Sequence, residues 1–176
     1  LVKKSLRNQI GIILESGEPR EVHHFALLFG YGVDCINPYL AYEAIGHIMK
    51  ENGLDIDFEK AVHNYIHAVE EGILKILSKM GISTLQSYRG AQIFEALGLG
   101  NDVIEKCFTG TASRIGGADF SVIKQETLER HRDAYPDRKI GPVNLAAGGL
   151  YQWRRDGEFH LWNPESIASL QDAARK

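Results

Sequence analysis

Long apolar runs are absent. No stretch approaches the ~20 residues that a membrane-spanning helix needs, and no signal-peptide pattern opens the chain. Cysteine is scarce: Cys35 and Cys107 are the only two. That excludes a disulfide scaffold and any four-thiolate zinc or iron–sulfur site, and both residues read as small buried hydrophobes. A basic excess is also missing, since 20 Lys+Arg face 23 Asp+Glu for a net charge of −3. The isoelectric point is about 6.2, so nucleic acid is not the expected partner. What remains is ordinary for a soluble, cytoplasmic α/β protein: 176 residues, 44% hydrophobic and 24% charged, with no internal repeat. The chain opens on Leu1 rather than Met and neither end has Ser/Gly-rich composition, which reads as an internal piece of a longer protein.

Local patterns predict an alternation of strands and helices. Ile-rich residues 9–15 read as a strand ended by Ser16-Gly17-Glu18-Pro19, followed by a helix over 21–29 and a short strand over 33–36. Residues 39–51 have amphipathic helical spacing closed by Asn52-Gly53. Asp57 is placed to cap a long helix in which Val62, Ile66, Val69, Ile73, Ile76 and Leu77 recur at three- and four-residue steps up to Met80 and Gly81. Beyond it, 82–88 reads as a strand or extended loop, 90–97 and 101–107 as helices, and 109–118 as irregular. A helix is predicted over 120–134, a long loop or short strands over 137–152, and a last helix from Pro164 with Asn163 as cap. A boundary near 52–57 separates an alternating part, 1–54, from a more helical part, 55–176.

Residue chemistry offers one modest candidate. Thr109–Gly117 is rich in small residues and hydroxyls, carries Arg114, and precedes a predicted helix, as an anion cradle would. It matches neither the Walker nor the dinucleotide spacing, and the competing reading is a loop whose Arg114 pairs with a nearby acid. His63 and His67 share a helix face, but no third ligand has motif spacing, so a solvated face is preferred. Of the adjacent His23 and His24, a hydrogen-bonded structural role is expected. Tyr151-Gln-Trp-Arg-Arg155 mixes aromatics and arginines, yet Asp156 and Glu158 offset the charge, which favours a small folded corner.

Longer motifs carry more. Leu77-Ser-Lys-Met-Gly-Ile-Ser-Thr84, Ser87-Tyr-Arg-Gly-Ala-Gln-Ile-Phe-Glu95 and Phe108-Thr-Gly-Thr-Ala-Ser-Arg-Ile-Gly-Gly117 closely resemble the large chain of glutamate synthase. Glu21-Val-His-His-Phe25, Gly30-Tyr-Gly32 and Asn37-Pro-Tyr-Leu40 resemble the end of that family's central domain. Tyr151–Arg155, Gly157-Glu-Phe-His160 and Asn163-Pro164 resemble the early part of its flavin domain.

The resemblance implies an α/β, helix-rich fold: the end of a central domain (1–54) followed by the first part of an FMN-binding (β/α)8 barrel (55–176). It implies a family chemistry in which glutamine-derived ammonia and 2-oxoglutarate give 2-iminoglutarate, which is reduced to glutamate at FMN. Ferredoxin or an NADPH-dependent small subunit supplies electrons through an iron–sulfur cluster, whose closely spaced cysteines this segment lacks. By the same resemblance, Met80, Gly81, Ser83, Ser113 and Arg114 are cofactor-side candidates in a partial FMN site, and Glu158 is the candidate for 2-oxoglutarate or the imine. The expected partners are the remainder of the chain, the electron donor and 2-oxoglutarate, with neither nucleic acid nor membrane. The location implied is the cytoplasm, or the plastid stroma for a plant or alga, and the isolated segment is expected to be inactive. Two other readings compete: a non-catalytic linker module that positions domains and the ammonia path, and a stand-alone anion-binding protein built on 109–117.

Overall fold

A computed structural model describes residues 1–137 and 152–175. They divide into two compact units, Leu1–Ile123 and Lys124–Lys176.

The first unit is built on two β-α-β passages. Strand β1 (Ile13–Glu15), helix α1 (Val22–Gly30) and strand β2 (Cys35–Asn37) form the first, with Ile13 opposite Cys35 and Glu15 opposite Asn37 in a parallel pair. Helices α2 (Tyr39–Glu51), α3 (Phe58–Met80) and the single turn α4 (Leu85–Tyr88) follow. The second passage is β3 (Glu95–Leu99), α5 (Asn101–Cys107) and β4 (Ala112–Ala118), again parallel, with Glu95 opposite Ala112 and Leu99 opposite Ala118. Each pair is parallel because a helix carries the chain back to the start of its neighbour. The described residues therefore make two separate two-stranded parallel sheets and no barrel.

Helix ends follow the local chemistry of the sequence. The Asp57 side chain accepts from Lys60 N at 3.1 Å at the start of α3, and Gly81 ends the helix at φ +69°. Glu21 and His24 form a reciprocal capping box on α1, which gives His24 its structural role. Inside, Phe25 and Ala26 of α1, Ile73 and Leu77 of α3, and Tyr88 of α4 make one buried cluster. Tyr88 is 1% exposed and its hydroxyl donates to Ala26 O at 3.0 Å. Helices α1 and α3 meet at Gly72, where an added Cβ would stand 2.4 Å from Val22 Cγ2. Gly72→Ala should therefore lower stability by about 1–2 kcal/mol through overpacking, as read from the midpoint of urea unfolding.

Four expectations change. Residues 90–97 are not a helix: Gly90 (φ +72°) and Gln92 (φ +54°) turn the chain, Gly90 N donates to Gly30 O, and β3 follows. Residues 109–118 are not irregular, because 112–118 form β4, whose Gly117 permits close approach to Gly98 of β3. The 82–88 segment is a short link that Thr84 caps into α4. Cys35 and Cys107 are exposed rather than buried. Cys35 stands opposite Ile13, itself 74% exposed, in a sheet of only two strands, and lines an open cavity described below.

In the second unit, α7 (Pro164–Arg175) starts as predicted: Asn163 Oδ1 accepts from Ser166 N at 2.9 Å. Helix α6 (Phe120–Ala134) begins at the end of the first unit. Most of the predicted 137–152 loop, with Tyr151, lies outside the described residues.

Candidate functional site

Helix α3 is long enough to bring its C-terminal turn against α1, and a cavity of about 630 Å³ opens beside it. Its wall is apolar and aromatic, with Phe29, Tyr42, Tyr65, Ile73 and Leu77, and Ser83 sits at its edge. Burial raises the pKa of Tyr65 and, more than the nearby Cys35, that of Tyr42, so both phenols stay neutral hydrogen-bonding groups at neutral pH. Tyr65 donates to Arg20 O at 2.9 Å. The charged residues lining the cavity are Asp34 and Glu70, both acidic. Met80, 44% exposed, and Gly81 end α3 close in sequence to Ser83.

The predicted anion loop takes a different form. Thr109 Oγ1 donates to Glu105 O, and the Thr111 and Tyr31 hydroxyls bond at 2.8 Å. The Tyr31 ring stacks on Phe94 and meets Phe108 edge-on, so a small cavity of about 190 Å³ beside Gly110 is bounded by aromatic surface. From Ala112 onward the backbone runs in the β4 pairing, and no cradle of amides forms. Arg114 extends into solvent, 83% exposed, with Nε 3.7 Å from Glu95 Oε1, which is the acid pairing that competed with the anion reading. Ser113 is half-buried opposite Ala96, near the N-terminal ends of both strands.

The start of α6 is also taken. Asp119 Oδ1 accepts from Ser121 N at 2.9 Å, Ser121 Oγ at 2.6 Å and Val122 N at 3.0 Å, so the aspartate does what a bound anion would have done there. Those bonds, Ser121 Oγ first, hold the Asp119 pKa below its ordinary value. A lowered folded-state pKa contributes stability that is present above the unfolded value and is lost as pH falls through the folded one. Protection of the Ser121 and Val122 amides, measured by hydrogen exchange, should therefore drop on acidification below about pH 4. Asp119→Asn should remove that dependence.

Met80, Gly81, Ser83, Ser113 and Arg114 all lie in the first unit, but only Ser83 lines the aromatic cavity, and Arg114 lines none of the cavities described. Glu158 belongs to the second unit, exposed in an irregular stretch that follows a turn closed by Gly157 N to Arg154 O. His63 and His67 lie on an exposed face of α3, with His67 Nε2 3.4 Å from Glu71, and no cluster of metal ligands occurs among the described residues. Sequence patterns gave Tyr31 and Phe94 no role beyond their place in family motifs and did not single out Tyr42 or Tyr65, because their partners lie far away in the chain.

These features define an α/β protein of βαβ units with an aromatic-lined cavity at a helix end. Residues 1–100 match the glutamate synthase central domain, and the chain belongs to that family. It is 53% identical over 176 residues to a glutamate synthase (NADPH) large chain of Bacillus subtilis, covering all of this chain and 11% of that protein. It is 49% identical over 178 residues to a glutamate synthase (NADH) of Schizosaccharomyces pombe, covering 99% of this chain and 8% of that one. A ferredoxin-dependent glutamate synthase of Pyropia yezoensis is 43% identical over 185 residues, 99% of this chain and 12% of the relative. The chain thus spans about a tenth of the length of the curated relatives it matches. None of its described helices is long and apolar enough to cross a membrane.

Proposed function

We propose that this chain is a segment of a glutamate synthase and contributes part of the site where 2-oxoglutarate and ammonia become glutamate. The observation that carries the reading is the family match, together with the open β3–α5–β4 passage and its exposed Leu97 and Ile115, 65% and 60%. A (β/α)8 barrel is this passage repeated until its edges close, so uncovered apolar side chains are what its first part would present. The relatives' names differ in electron donor, NADPH, NADH or ferredoxin, while the likeness to this segment runs through all three. That supports a role in the glutamate-forming half rather than in choosing the donor.

The donor set fits FMN in part. The apolar and aromatic wall with the Ser83 hydroxyl suits an isoalloxazine ring, which is flat, apolar on its faces and polar at one edge. The same cavity has two acids and no cation in its lining, and the C-terminal end of α3 presents carbonyl oxygens. It does not suit the phosphate. Arg114, with most of its guanidinium in solvent, and Ser113 have phosphate chemistry on a separate face. When bound, FMN supplies hydride transfer. Met80, Gly81 and Ser83 would lie on the ring side, Ser113 and Arg114 on the phosphate side, and strands from the rest of the polypeptide would complete the site. Glu158 is kept as the candidate toward the keto acid, and the segment alone is inactive.

A second reading, a module that holds domains in place, draws on the Arg114–Glu95 pair and the Tyr31–Thr111 bond, which tie elements together without a ligand. The full-length enzyme separates the two. Arg114→Ala should reduce bound FMN per polypeptide, read from flavin absorbance, and weaken FMN rebinding by about tenfold, the loss expected for one charge-assisted contact. Unchanged FMN content and turnover in both Arg114→Ala and Ser83→Ala would favour the structural module.

A further inference from the structure

A second cavity, of about 680 Å³, lies on the other side of Asp34 from the aromatic one and is polar. Two arginines from distant parts of the chain converge on it: Arg7, in the short turn Arg7–Gln9, and Arg89, at the end of α4. Asp34, the acid between them, is the only acidic residue lining the cavity, so the lining carries one net positive charge. Its oxygens are committed. Oδ1 pairs with Arg89, and Oδ2 accepts from Ile12 N at 2.8 Å and stands 4.0 Å from Arg7 Nη1.

The arginines are held but not used up. Arg7 donates to Gly32 O at 2.6 Å and to Ile10 O at 3.4 Å, and Arg89 meets Asp34. A guanidinium has five N–H donors in a fixed fork, so each side chain keeps donors beyond these bonds. Both are one-quarter to one-third exposed, which limits solvent screening of their charge. Gly32 holds φ +100°, a backbone conformation that favours glycine, and an added Cβ would stand 3.0 Å from Arg7 Nη2. Asn8 and Gln86 line the same cavity and carry side-chain amides, which are neutral donors.

We infer that this cavity is a binding site for a small oxyanion, a carboxylate or a phosphate, gripped by Arg7 and Arg89 with Asp34 as the internal counter-charge that keeps them poised. Two pre-positioned forks facing one concave polar surface are the geometry in which planar or tetrahedral oxyanions are bound bidentately. Asp34 sets the affinity as well as the geometry, because the ligand competes with it for the same two cations.

The test is calorimetric titration of the full-length holoenzyme at low ionic strength, with inorganic phosphate in one arm and succinate in the other. The arm that binds more tightly identifies the source of the oxyanion, and binding in either supports the site. Arg7→Gln should weaken binding by about tenfold. Asp34→Asn keeps the shape and the acceptor for Ile12 N but removes the opposing charge, so it should tighten binding several-fold. Arg89→Lys, which keeps the charge and loses the fork, should weaken binding at unchanged circular dichroism, which covers an Arg7 variant that fails to fold. Binding of neither anion at about 10 mM, equal affinity in wild type and both arginine variants, or weaker binding in Asp34→Asn would each overturn the inference and leave the arginines as braces. The readout involves neither FMN content nor turnover, so its failure is distinguishable from failure of the flavin reading.

Discussion

Tyr88→Ala should lower the stability of the first unit by about 3–5 kcal/mol, the range for deleting a buried aromatic ring. Tyr88 is the fully buried side chain that joins α4 to the α1–α3 core, and its removal opens a cavity among Phe25, Ala26, Ile73 and Leu77. Tyr88→Phe keeps the ring and loses only the bond to Ala26 O, so about 1 kcal/mol is expected. Urea unfolding followed by hydrogen exchange at the α1 and α3 amides reads both. Equal losses for the two variants would mean that the hydroxyl, not the ring, anchors the turn. The consequence reaches the site, because α4 begins at the Thr84 cap directly after Ser83. Loosening α4 should therefore also disturb Ser83 at the lip of the aromatic cavity.

The second large effect is expected at Gly117. An added Cβ there would lie 2.4 Å from the carbonyl oxygen of Gly98 and 2.7 Å from its carbonyl carbon. Both are backbone atoms of the neighbouring strand, so no rotamer change relieves the clash. Gly117→Ala should cost about 3 kcal/mol, the upper end of overpacking, and should abolish exchange protection along β3 and β4 while leaving the α1–α3 amides protected. Gly116→Ala is the control, since nothing stands within 4 Å of a Cβ at that position. Similar effects for the two variants would show that the strand tolerates separation and that the close approach at Gly98 is not what holds the pair. In the full-length enzyme Gly117→Ala should also affect FMN retention, if Ser113 and Arg114 on the same strand face the phosphate as proposed.

The parts of the fold legible in the sequence are those in which neighbours in the chain decide the outcome. The Asp57 cap, the apolar stripe through Val69, Ile73 and Leu77, and the Gly81 stop all act within a turn or two of helix, and α3 runs between them as predicted. Asn163 with Pro164 specified the start of α7 for the same reason. The failures share a cause as well. Residues 90–97 have helical composition, but positive φ at Gly90 and Gln92 and pairing of Glu95 with Ala112 in the later strand override it. In 109–118, glycine and hydroxyl content suggested a loop, whereas the second strand needs Gly117 to approach the first at Gly98.

The same division separates the candidate sites. The motifs around Met80–Ser83 and Ser113–Arg114 marked the family, and the family match followed from the order of residues alone. That Ser83 edges an aromatic cavity, that Arg114 is paired with Glu95, and that the α6 amides are already occupied by Asp119 required the side chains in place. Arg7, Asp34 and Arg89 carry no mutual spacing that a reader of the chain could use. Local chemistry, which acts over one or two turns, set the helices, their caps and the family signature. Strand pairing, cavity walls and the meeting of distant charges depend on contacts between residues far apart in the chain, and these arise only when the folded backbone brings them together.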